Sequence, residues 1–136
     1  TLVELIVVIA IMAVLAGTVA GVTVSQLNKQ TDKTMASEAK GVADFISTWI
    51  IENNIDLTAS GLTLATIKTE GTSGKTLMSA LTDQYGDKVA ETKVKGKTLG
   101  ISFAEQKITV EYEGKQSGTN GDAKYTINAE GIVAKA

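Results

Sequence analysis

The sequence predicts an α+β chain in which one long N-terminal helix lies on a C-terminal antiparallel sheet of about four strands. Three observations predict it. Leu5–Val24 is apolar all round, with one charged neighbour, Glu4, and no further charge until Lys29. The next stretch, to about Asn53, becomes polar yet keeps apolar residues at helical spacing. From Leu99 onward apolar and polar residues alternate, as on a strand with one buried face.

Taken as a helix, Leu5–Val24 is long enough to cross a hydrocarbon core, which needs about 20 apolar residues at about 1.5 Å each. A carboxylate at the mouth of such a run costs roughly 2.5 kcal/mol or more unless it is paired. Glu4 is therefore expected at an interface or opposite a cation, the nearest candidate being a chain-terminal amine.

TLVELIVVIAIMAVLAG, the first 17 residues, resembles the N-terminus of type IV pilins and pseudopilins, the class III signal family. In that family a leader is cut after a glycine, the new first residue, usually Phe, is N-methylated, and T-L-[VI]-E-L follows. The resemblance places that methylated residue directly before Thr1. It implies a membrane-stored subunit that polymerises with identical copies into a helical filament, with Glu4 pairing with the terminal amine of a neighbour. The other partners it implies are a prepilin peptidase and a pilus assembly machinery with a separate motor ATPase. Its expected location is the cytoplasmic membrane as a single-pass precursor, then an extracellular pilus. Many Gram-negative pilins carry a C-terminal Cys pair, and this chain has no Cys, which leans towards a Gram-positive or divergent source.

Gly17 and Gly21 stand four apart beside Ala16 and Ala20. One reading is a small-residue face for close helix packing. The other is weakness, since each Gly costs about 1 kcal/mol relative to Ala and Thr18, Val19, Val22, Thr23 and Val24 are β-branched. Bacterial pilins often carry a proline near this point and can lose helicity there in the filament. This chain has no proline, so Gly17–Val24 is read as a segment that stretches or melts on assembly, without a fixed kink.

Residues 25–53 continue the helix as an amphipathic one. Met35, Ala39, Val42, Ile46 and Trp49 form its stripe, widened by Phe45 and Ile50, and the charged residues, Asp32 among them, are assigned to other faces. Asn53-Asn54 supplies a stop.

Residues 54–136 are expected to form the globular part. Ile55–Gly96 is the least patterned stretch, its Leu57, Leu62, Leu64 and Ile67 suiting a packed loop or a short strand. Thr76–Tyr85 reads as a short helix ended by Gly86, from Leu77, Leu81 and Tyr85 at i, i+4 and i+8. The sheet face is read from Leu99, Ile101 and Phe103, then Ile108, Val110 and Tyr112, then Tyr125–Ile127 and, after the turn Asn128–Gly131, Ile132–Ala134. The Met35–Trp49 stripe is its cover.

The 136 residues allow one small domain beyond the apolar segment, and the net charge of −2 gives no general attraction to nucleic acid. With neither His nor Cys, the usual nucleophile–base pairs are missing, so no enzyme, cofactor or metal is expected. Gly118–Asp122 offers oxygen ligands but lacks the dense acidic spacing of a calcium loop, and a plain hairpin loop is the commoner reading. Lys93, Lys95 and Lys97 alternate on a strand pattern, either as a basic patch or, more commonly, as a solvated edge. Three function classes follow: a major pilin of an adhesion, motility or DNA-uptake filament; a pseudopilin of a type II secretion or competence system; and, from another class, a membrane-anchored binding module, which has no need of Glu4.

Overall fold

Without a proline to break it, the N-terminal segment runs as one helix, α1 (Leu2–Glu52), of 51 residues and about 77 Å. The computed structural model describes residues 1–69 and 74–136. Hydroxyls within the apolar half are satisfied on the helix itself: Thr18 Oγ1 donates to Leu15 O at 3.0 Å and Thr23 Oγ1 to Val19 O at 2.8 Å. The helix ends in a Schellman arrangement. Asn54 takes the left-handed conformation, and its N–H donates to Ile51 O while that of Ile55 donates to Ile50 O.

After α1 the chain packs as a loop. Leu57 and Ile67 are buried, and Leu62 and Leu64 are half-buried. Residues 70–73 of the Ile55–Gly96 stretch lie outside the described residues. The short helix α2 (Leu77–Tyr85) is capped by Thr76, whose Oγ1 accepts from Ser79 N–H at 3.1 Å, and it buries Leu77, Ala80 and Leu81. It lies against α1 through the rings of Tyr85 and Phe45, which meet edge to face at 5.8 Å.

Five strands follow, β1 (Val89–Ala90), β2 (Leu99–Ala104), β3 (Lys107–Tyr112), β4 (Ala123–Ile127) and β5 (Val133–Lys135), ordered in the sheet as in the chain. The expected count of about four omits β1, a two-residue strand that pairs parallel with β2. So brief a strand carries no readable alternation. The other pairings are antiparallel, with Ile101 opposite Val110 and Val110 opposite Tyr125. Glu105 and Gln106 close the β2–β3 hairpin, both with positive φ, as a two-residue turn between right-twisted strands requires. The last strand begins at Val133; Ile132 is exposed and belongs to the turn.

The sheet's inner face lies on the second half of α1. Ala39, Val42, Ile46 and Trp49 meet Leu99, Ile101, Ile108, Val110 and Tyr112 in one buried core. Met35 and Phe103, expected within it, are only half-buried and pack on its margin. Lys93, Lys95 and Lys97 do not alternate on a strand: the chain makes a tight turn there, closed by the Val94–Thr98 bridge. Lys93 Nζ instead stands 3.2 Å from Glu111 Oε2, with Lys124 Nζ 3.4 Å from the other carboxylate oxygen.

Trp49 joins the helix to the sheet near the end of α1. Trp49→Ala is expected to destabilise the domain by about 3 kcal/mol, as for an aromatic cut from a core. Denaturant unfolding of the detergent-held chain, followed by circular dichroism, checks this. Exposed Thr48→Ala should change stability by less than about 0.5 kcal/mol.

Candidate functional site

Two features of α1 stand apart from ordinary packing. The first is its N-terminal half. Residues 1–27 are all exposed, among them Leu2, Ile6, Ile9 and Val14, and none between Leu5 and Asn28 is charged. The helix is thus long and apolar enough to cross a membrane. Gly17 and Gly21 have no atom within 4 Å of an added Cβ, and the helix runs unbroken through both.

Glu4 lies one turn into this exposed half. Among the described residues none forms an ion pair with it. The next lysine along the chain, Lys29, is about 38 Å up the same rigid helix, so no helical lysine of its own chain can reach Glu4. A cation for this carboxylate must come from a chain start or from another molecule.

The second feature is Asp32, which the sequence pattern assigned to a solvated face and the fold buries to 3% exposure. Its position does carry a signal. It precedes Met35 by three and Ala39 by seven, so it continues the apolar stripe by one more turn. Oδ1 accepts from Tyr112 Oη at 2.7 Å and from Lys115 N–H at 2.9 Å; Oδ2 accepts from Gln116 N–H at 3.2 Å and Gln116 Nε2 at 3.0 Å. Burial alone would raise this carboxyl, but the donors from Lys115, Tyr112 and Gln116 outweigh it and hold Asp32 below the usual carboxylate range. Tyr112 moves the other way, since burial and then the adjacent Asp32 carboxylate push its phenol above its ordinary value.

These bonds fasten the loop between β3 and β4 onto the helix. A Cβ on Gly121 would overlap Asp32 Oδ2, so only glycine lets the loop come this close. Gly114 presses on Gly121 from the other side, and its N–H donates to Asp122 Oδ1 at 2.8 Å. Asp122, the acid of the Gly118–Asp122 segment, is thereby a closing contact of the loop itself. Further along α1, Ser47 Oγ donates to Gly131 O and ties down the β4–β5 turn.

No family profile, curated protein or solved structure matches this chain.

Asp32 has a lowered folded value, so its stabilisation is complete above its unfolded value near pH 4 and is lost as pH falls through the folded one. Asp32→Ala should cost about 3 kcal/mol, because four donors lose a charged acceptor, and should speed amide exchange at Lys115 and Gln116. In Asp32→Asn the stability difference from the parent should shrink below pH 4. Urea melts of both chains from pH 2 to 7, with hydrogen exchange, check this.

Proposed function

We propose that this chain is a structural subunit of the type IV pilin kind, held in a membrane by the first half of α1 and then polymerised through that same half into a helical filament. One observation carries the reading. A single unbroken helix presents a wholly exposed apolar half with one carboxylate, Glu4, while its other half is consumed by a small helix-on-sheet domain. A membrane anchor needs the apolar half and has no use for Glu4. A filament core uses both, because packed apolar helices exclude water and a carboxylate there tolerates only a neighbour placed to pair with it. Glu4 then sets the register between copies more than it adds net stability. Identical contacts that repeat without closing generate an open fibre, with the domains on the outside.

The test is Glu4→Gln in the producing cell, with surface filaments counted by electron microscopy and membrane subunit quantified by immunoblot. Loss of the charge leaves an amine unpaired at every interface, a penalty of order 3 kcal/mol repeated along the fibre. Filaments should disappear while subunit accumulates in the membrane at parental levels. Normal filaments in the variant would return the chain to the simple-anchor reading, in which a neutral amide near hydrocarbon is harmless.

A further inference from the structure

Where α1 leaves its apolar run, two clefts adjoin. One, of about 400 Å³, is lined by Gly21, Val24, Ser25 and Asn28 of the helix and, across from them, by Lys115 and Gln116 of the β3–β4 loop. The other, of about 330 Å³, shares Gln116 and Asn120 with the first and extends to Lys29, Lys33 and Lys135. Together they run from an apolar helix face to a group of ammonium ions.

The balance of charge decides what such a groove attracts. Two carboxylates also line the second cleft, buried Asp32 and exposed Asp122, and each already accepts hydrogen bonds from the protein. Asp32 holds Tyr112, Lys115 and Gln116, and Asp122 holds the Gly114 N–H. Lys29, Lys33, Lys115 and Lys135 form no ion pair with a described residue. Four lysines therefore line the two adjoining clefts against these two carboxylates, so positive charge is in excess there.

We propose that this double cleft binds one anionic phospholipid, its acyl chain along Gly21 and Val24 and its phosphate among Lys29, Lys33 and Lys135. The inference rests on the reading that the first half of α1 is membrane-held before assembly. Heights along the helix fit. From Val24, Lys29 is about 7.5 Å and Lys33 about 13.5 Å further on, which spans the headgroup layer within the reach of a lysine stem. Ser25 and Asn28 lie between, with a hydroxyl and an amide for the ester and phosphate oxygens. The loop that Asp32 fastens forms the far wall, so the clamp also builds the lipid site.

The full chain, reconstituted into phosphatidylcholine vesicles with a minority of phosphatidylglycerol, tests this by electron spin resonance of spin-labelled lipids. The parent should hold labelled phosphatidylglycerol about threefold over labelled phosphatidylcholine, a preference that weakens in high salt. Lys29→Gln/Lys33→Gln/Lys135→Gln should bring that ratio to about one. An equal removal of charge elsewhere, Lys40→Gln/Lys68→Gln/Lys107→Gln, should leave the preference intact. Insertion without headgroup preference overturns the inference while the membrane reading stands, and loss of preference in the control variant overturns the site. Displacement of the labelled lipid by millimolar inorganic phosphate would make it a free-anion site and overturn the lipid assignment. Failure to insert into either vesicle overturns both readings together.

Discussion

One continuous helix has to be satisfied by two different surroundings, and the rest of the chain follows from that constraint. From Leu5 onward the amides of the first half of α1 bond within the helix, so that stretch needs nothing from water or from the domain for its backbone. Its side chains are another matter. An exposed apolar surface running from Leu2 to Leu27 is far larger than a soluble monomer leaves uncovered. In the proposed reading, lipid and then other copies of the same helix relieve it in turn, and the domain need not refold between the two.

The domain is built to hold the second half of that helix firmly. The sheet buries Ala39 to Trp49, the Schellman turn at Asn54 sends the chain back over the core, and Ser47 fixes the turn at Gly131. Asp32 holds the opposite end, where the exposed half begins. Burying a carboxylate is costly, and its four donors offset that cost only in one geometry. The gain is position, because the β3–β4 loop can dock on α1 in a single register, with Gly121 against the carboxylate. Whatever force a neighbour or a membrane applies to α1 reaches the sheet through this clamp and the core above it.

Much of this was legible in the sequence because it is periodic. The helix stripe from Ala39 to Trp49, the alternation of Leu99 and Ile101 with their partners on β3, and the short helix after Thr76 all announce which face is buried. What escaped was aperiodic or polar. The Leu57–Ile67 segment buries its two ends through a loop whose turns are made by Thr and Asp side chains, leaving no repeat to read. The turn around Gly96 looked like a strand because its lysines happen to alternate. Asp32 was missed because a charged residue on an apolar stripe is read first as an interruption; its four donors, on Tyr112, Lys115 and Gln116, lie 80 to 84 residues away in the chain, where no local pattern links them to it. The partner proposed for Glu4 belongs to another copy, which no single-chain pattern could name.

The most direct test of the central claim, that the exposed half of α1 is an assembly surface, is imaging of the native surface filament at side-chain resolution. The account predicts the N-terminal halves packed on one another along the axis, the domains outside, and Glu4 within ion-pair distance of an amine on a neighbouring copy. It also predicts that the helix is opened somewhere within Gly17–Val24, where two glycines sit among β-branched residues. A filament whose copies touch only through their sheet domains, with each apolar half left in lipid or detergent, would contradict it.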